Sequence, residues 1–321
     1  MTPTQLRAYS AVVRRGSVKL AGADLGISDA AVSLHVASLR KELGDKLFVR
    51  TSSGLAFTPG GLRLATRAVE MLGLQDRTIQ EVSQAGGGRR LLRVAATSLF
   101  AEHAAPGLIE LFTSRANDLD LELVVTSPRR FVPLLETRSV DAAIGPLDAG
   151  SGHDLVVTPF LKYHVVVVAG VTHPLATTQA THGPVALERL RKETWLLGPA
   201  AAGDAGAVHA MLRRIRIPEE RQRIFQSDSA ALAETRRGHG LSLALSFVVS
   251  TDLAEHRLVQ LFGPGLQADG VWNLTTLVRP TSAAGELRSF VVTPRATQAM
   301  LRGSGVHITH FKPSVHVTLW S

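Results

Sequence analysis

At 321 residues the chain is too long for one ordinary hydrophobic core, and two or three domains are expected. Its formal charge of +8 and pI near 10.5 favour a polyanionic partner. With no cysteine, a disulfide framework, a thiolate nucleophile and a sulfur metal site are excluded.

The opening MTPTQLRAYSAVVRRGS has no uninterrupted apolar run before its basic pair, so no secretory signal is expected. The longest apolar run, Val165 to Val171, is strand-sized, and the expectation is a soluble cytoplasmic protein without a membrane partner. The first sixty residues hold eight Lys and Arg against four Asp and Glu, which places part of the positive excess there.

From Ser17 to Leu39 the sequence reads as a helix-turn-helix. Leu20, Ala21 and Leu25 fall on one stripe of a first helix, Val18 to Leu25. Gly26 permits the sharp turn and Ser28 is a good N-cap for a second helix. In that helix Val32, Val36, Leu39 and Leu43 share a face, leaving Asp29, Ala30, Ser33, Leu34, His35 and Ser38 on the other. Small and hydrogen-bonding side chains near a helix start suit insertion into the major groove of double-stranded DNA. His35 fits a phosphate or base contact and equally a plain surface histidine; Leu34 fits a thymine methyl or packing on the first helix. Two short strands, Leu47 to Thr51 and Leu55 to Thr58, flank Ser52-Ser53-Gly54 as the wing of a winged helix-turn-helix, with Arg50 and Thr51 on it. Thr58-Pro59 then opens a long helix over about Gly61 to Ser83. Leu62, Ala65, Val69, Leu72 and Ile79 recur along it at helical intervals suited to a dimer seam, or to packing on its own winged domain.

In their order Leu6-Arg7, Gly16-Ser17, Ala21, Leu25, Ile27-Ser28, Ala31-Val32-Ser33, Leu39, Glu42-Leu43-Gly44, Leu47-Phe48, Arg50 and Thr58-Pro59-Gly60-Gly61 resemble the N-terminus of the LysR-type transcriptional regulators. Val18 stands where the family usually has an aromatic, and Asp29-Ala30 where it has a Gln or Pro pair. Asp29 suits a helix N-terminus but repels phosphate, so the base-reading pattern of relatives does not transfer.

Gly86-Gly87-Gly88 cannot hold a helix and marks a joint. Beyond it strands at Leu91–Ala96, Leu119–Thr126 and Val140–Ile144 alternate with helices at Phe100–Arg115 and Arg130–Thr137, the pattern of parallel α/β units. Tyr163 to Gly170 is a very hydrophobic strand; Trp195–Leu197, Arg223–Gln226, Ser242–Leu245 and Val271–Val278 are further strands, with helices at Ala205–Arg216 and Ser229–Arg237. Asp141 to Gly145 and His173-Pro174-Leu175 are similar to family segments of the regulatory domain. The resemblance implies an α/β fold with an N-terminal winged helix-turn-helix and a two-lobed, periplasmic-binding-protein-like (type 2) effector domain. The expected division is a DNA-binding domain over 1–60, a linker and dimerisation helix over 61–85, a hinge at 86–90, an effector domain over 91–303 and a tail at 304–321. Within the effector domain, lobe I takes 91–163 with 269–303, and lobe II takes 164–268.

Ligands of open α/β sheets bind beyond the carboxyl ends of strands. That rule selects Thr97 and Ser98, Ser127 and Arg129, Gly145, Pro199 and Ser246 as an effector lining, although strand-end hydroxyls are also ordinary helix caps and the arginine an ordinary solvated residue. Twelve histidines include His307 and His310 without acidic or sulfur neighbours, so no metal site is expected. There is no phosphate loop, nucleophile elbow, zinc-protease helix or dinucleotide fingerprint, hence no catalytic residue and no cofactor. The expected function is a sequence-specific DNA-binding regulator modulated by a small-molecule effector, and the resemblance implies a homodimer and further a homotetramer. A ligand-independent architectural DNA binder and an intracellular small-molecule-binding protein remain alternatives.

Overall fold

A computed structural model describes residues 1–51, 54–85, 89–116, 118–147, 154–203 and 205–302. Two compact units emerge, one from residues 1–88 with 136–139, the other from 89–135 and from 140 onward. The glycines expected as a joint, the wing serines Ser52 and Ser53, and the tail over 304–321 lie outside the described residues.

The first unit contains helices α1 (Pro3–Arg15), α2 (Val18–Leu25) and α3 (Asp29–Leu43), strands β1 (Phe48–Thr51) and β2 (Gly54–Phe57), and the long helix α4 (Pro59–Ala85). Thr2 and Gln5 form a reciprocal capping box at the start of α1. Gly26 ends α2 at φ +65°, a left-handed conformation that glycine adopts without steric cost. Tyr9, Val12, Ala21, Val32, Val36, Leu39 and Phe48 bury together, joined by Leu64 and Ala68 from α4. Two expected core positions differ: Leu20 is 55% and Leu43 44% exposed. Helical period alone does not say which edge of an apolar stripe meets a neighbour, and here Ala21 and Leu39 take those places.

The entry to the wing is held tightly. Leu47, fully buried, has φ +62°, which costs a non-glycine residue about 1–3 kcal/mol. The surroundings impose it: Asp45 Oδ1 accepts from Leu47 N at 2.6 Å and from Thr58 Oγ1 at 2.7 Å, and Thr58 N donates to Leu47 O at 3.0 Å. The hydrogen bonds from Leu47 and then Thr58 hold the Asp45 carboxyl below its ordinary pKa. Gly61 is required just beyond, because a Cβ there would collide with Leu47 O. Tyr9 Oη donates to Gly61 O at 2.8 Å, closing α1 onto the start of α4.

The second unit is built on a nine-stranded sheet. Its strands are β3 (Arg90–Ala96), β4 (Leu119–Val125), β5 (Ala142–Gly145), β6 (Leu155–Gly170), β7 (Trp195–Leu197), β8 (Gln222–Ile224), β9 (Leu241–Leu245), β10 (Leu258–Leu261) and β11 (Gln267–Leu277). β3 pairs in parallel with β4 and β5, and β7 in parallel with β8 and β9. Between these two parallel groups run β6 and β11, antiparallel from Val166 opposite Gln267 to Leu155 opposite Leu277. They belong to both α/β halves, which makes the two-lobed arrangement. β6 is twice the length expected from Tyr163–Gly170, because its first half is mostly half-buried and its apolar residues are interrupted by Thr158, Pro159 and Lys162. The helix expected over Phe100–Arg115 is two, Ser98–His103 and Ala105–Thr113, broken at Ala104. Pro106 has no N–H for the carbonyl of Glu102, so the ladder is interrupted there. Among the described residues no helix is long and apolar enough to cross a membrane.

Candidate nucleic-acid interface and ligand pocket

On the first unit, the start of α2, the start of α3 and the wing enclose a groove of about 500 Å3 lined by Lys19, Asp29, Ala30, Ser33, Arg50, Thr51 and Leu55 among others. A second groove, about 320 Å3, shares Ser33 and Arg50 and adds Arg40 and Lys46. Four cations therefore border a surface whose only acid in these linings is Asp29, a charge pattern suited to a phosphate backbone. Arg14 and Arg15 face away from this role, since both pair with Asp24.

Ser33 and Leu34 are exposed on α3 and His35 is half-buried. Ser28 is the N-cap expected of it: its Oγ accepts from Ala31 N at 3.2 Å. Ser38 Oγ likewise donates to Leu34 O at 3.0 Å, and Thr51 Oγ1 to Gly54 O at 3.1 Å. These three hydroxyls bond local backbone, while Asp29, Ala30, Ser33, Leu34 and Arg50 are all exposed.

The residues expected to recur along α4 divide between its two sides. Ala65 and Leu72 pack on the winged core beside Leu64 and Ala68, and Val69 is half-buried. Leu62 and Ile79 are exposed, together with Met71, Leu74 and Val82. Met71, Leu74 and Val82 lie within one face of the helix, a stripe that the sequence reading passed over.

On the second unit a pocket of about 270 Å3 opens at the carboxyl ends of β3 and β4. Thr97, Ser98, Ser127 and Pro199 line it as the strand-end rule selects, joined by Thr126, Pro146, Tyr163, Trp272, Ala200, Ala202 and residues between Gly203 and Val208. Gly145, Arg129 and Ser246 are not among its lining residues. Gly145 is instead pressed against Phe131 and Thr97, where a Cβ would clash, and Ser246 N donates to His164 O at 2.9 Å on the strand edge.

The floor is aromatic. The Trp272 ring is 4.6 Å from that of Tyr163 and 5.1 Å, edge-on, from that of Phe100. Burial pushes the Tyr163 hydroxyl up to about 12, so it stays protonated. Two buried polar atoms here, Thr97 Oγ1 and Trp272 Nε1, have no hydrogen-bond partner among the described residues. Native structures leave few buried polar groups of this kind unpaired. No charged side chain is among the described lining residues. Tyr163 and Trp272 escaped sequence reading because both lie inside strands that read as core.

The profile of the family described as "LysR substrate binding domain" matches residues 85–292, and that of "Bacterial regulatory helix-turn-helix protein, lysR family" matches residues 3–62. An uncharacterized HTH-type transcriptional regulator of Mycobacterium tuberculosis is 56% identical, with 100% of both chains covered. The RuBisCO operon transcriptional regulator of Allochromatium vinosum is 29% identical over 91% of this chain and 96% of its own. Among solved structures, ArgP of Mycobacterium tuberculosis superposes with a TM-score of 0.59 at 17% identity, covering 94% of this chain and 96% of that one. The regulator LysG of Corynebacterium glutamicum, solved with bound effector Arg, gives 0.57 at 21% identity over 95% and 98%. These last likenesses are of fold.

Proposed function

The chain belongs to the LysR family of transcriptional regulators, and we propose that its α3–wing grooves read DNA while the pocket at the ends of β3 and β4 takes the effector. The observation that carries this reading is the pairing, in one chain, of a cation-bordered winged helix-turn-helix with a pocket that holds two unmet buried polar groups. Ala30, Ser33 and Leu34 are positioned to meet base edges, and Lys19, Lys46 and Arg50 to meet phosphates. The pocket favours a small molecule with an apolar or planar part for the Tyr163–Trp272 floor and acceptor groups for Thr97 and Trp272. Two copies pair through α4, using the exposed stripe of Met71, Leu74 and Val82 with Ile79. Effector binding then shifts the population between two arrangements of the paired DNA-binding domains.

The test is fluorescence anisotropy of the full chain on its own upstream intergenic DNA against scrambled DNA, at two salt concentrations. Preference that survives the higher salt supports the reading and supplies the assay for candidate effectors. Equal and steeply salt-dependent binding to both would move a ligand-independent architectural role ahead.

A further inference from the structure

Glu102 and His103 end the helix Ser98–His103, and Asp228 begins the helix Asp228–Arg236. The three meet across a separation of more than a hundred residues, with one nitrogen or oxygen from each lying within 4.8 Å of the others. None of the three is among the described residues that line the ligand pocket. Glu102 is anchored from one side only: Oε2 accepts from Asp228 N at 2.8 Å, and Oε1 from Ser229 N at 2.7 Å and Ser229 Oγ at 2.6 Å. Each of its oxygens can accept from two partners, so Oε2 keeps a free lone pair.

Asp228 is the anomaly. It is 7% exposed, its Oδ2 has no hydrogen-bond partner among the described residues, and that oxygen faces His103 Nε2 at 3.8 Å. A second carboxylate stands beside it, and no arginine or lysine pairs with either among the described ion pairs. The backbone gives way to this carboxylate: a Cβ on Gly198 would collide with it. His103 is itself 5% exposed. An imidazole with two carboxyl groups, one of them with an orphaned buried oxygen, is a donor set suited to a cation.

We propose that Glu102, His103 and Asp228 bind a first-row divalent metal ion that ties the helix Ser98–His103 to the start of the helix Asp228–Arg236. The ligand types suit Zn2+, Fe2+ or Mn2+, with water completing the shell on the half-exposed side at Glu102. Ligands about 2.0–2.2 Å from an ion sit closer together than 4.8 Å, so small side-chain rotations of His103 and Asp228 complete the site. The site goes beyond the regulator reading and does not depend on the effector pocket. A proton shared between Asp228 and His103 is the competing way to satisfy Oδ2.

The experiment uses the untagged full-length chain, stripped with chelator and titrated with Co2+ by visible absorption and with Zn2+ by calorimetry. The expected result is one saturable equivalent per chain, with a rise in Tm on addition of the ion. Asp228→Asn, which keeps the size of the side chain, and His103→Ala should each weaken binding about tenfold or more. The Tm of metal-free Asp228→Asn, at or near the wild-type value, shows that the variant folds. Absence of a saturable equivalent in the wild type overturns the proposal in favour of the shared proton. Wild-type-like binding by Asp228→Asn overturns it too, by placing the ion elsewhere in the chain.

Discussion

The Arg40 guanidinium lies 4.4 Å over the Phe48 ring and donates from Nη2 to Phe48 O at 2.7 Å. One side chain near the end of α3 thus holds the first residue of the wing by its face and by its backbone. Lysine has the charge but neither the plane nor the fork. Arg40→Lys should therefore lower the stability of the winged unit by about 1 kcal/mol, read by thermal unfolding. It should also weaken binding to all DNA sequences, because the wing loses its fixed place. An unchanged Tm would mean that the contact contributes nothing.

Ser33 and Arg50 border the same two grooves, yet their substitutions should separate. Ser33→Ala removes the hydroxyl proposed to read base edges, and on that reading should cost about 1–3 kcal/mol of discrimination between operator and scrambled DNA. Arg50→Ala should weaken both DNAs alike and reduce the salt dependence by about one unit. Anisotropy over a salt series distinguishes the two, and a shared salt-slope effect would remove Ser33 from base readout.

The winged unit was legible because its information is local. Val32, Val36 and Leu39 announce their face by spacing, Gly26 its turn by composition, and each is found so placed. What failed there was the rim: Leu20 and Leu43 belong to the stripe but reach past the neighbouring helix. The pocket was half legible. A rule about strand ends found Thr97, Ser98, Ser127 and Pro199, but Tyr163 and Trp272 enter from the middle of β6 and β11. Their arrival depends on cross-strand register, including the irregularity at Trp272/Asn273, which no single-strand pattern encodes. Glu102 and Asp228 are 126 residues apart and carry no spacing signal at all.

Thr97 Oγ1 is buried with no partner, and it makes no cap bond to the helix it precedes. An unmet buried hydroxyl costs about 1–3 kcal/mol, so the nearly isosteric Thr97→Val should leave the ligand-free protein as stable or more so. On the proposed reading, in which Thr97 bonds the effector, the same change should lower effector affinity about tenfold or more. Thermal unfolding with and without an effector found in the DNA assay reads both. A destabilised ligand-free variant would show that the hydroxyl serves the fold.

Leu74 and Val82 are 50% and 68% exposed on α4, so a charge there disturbs no core packing. Leu74→Glu and Val82→Glu should each shift the chain toward monomer in sedimentation while the unfolding free energy at high dilution stays within about 0.5 kcal/mol of the wild type. Ala65→Glu should unfold the winged unit instead, because Ala65 packs against its core. A sedimentation profile like the wild type's in both exposed-face variants would count against the proposed pairing through this stripe.

His173 supplies the pH dependence. Its Nδ1 accepts from Leu175 N at 3.2 Å as the cap of the helix Pro174–His182, a role only an unprotonated nitrogen fills. Burial pushes its pKa below the usual 6.5, against the pull of Glu193, whose Oε2 is 3.6 Å from Nε2. The folded chain therefore holds fewer protons at this site than the unfolded chain at pH values below about 6.5, and stability there rises with pH. The contribution is fully present above the unfolded pKa and is lost as pH falls through the depressed folded one. His173→Asn keeps a capping acceptor that does not titrate. Between about pH 7 and pH 5 its Tm should fall less than that of the wild type. Equal slopes in the two proteins would assign the acid sensitivity to other groups, and would leave His173 a cap whose protonation the fold tolerates.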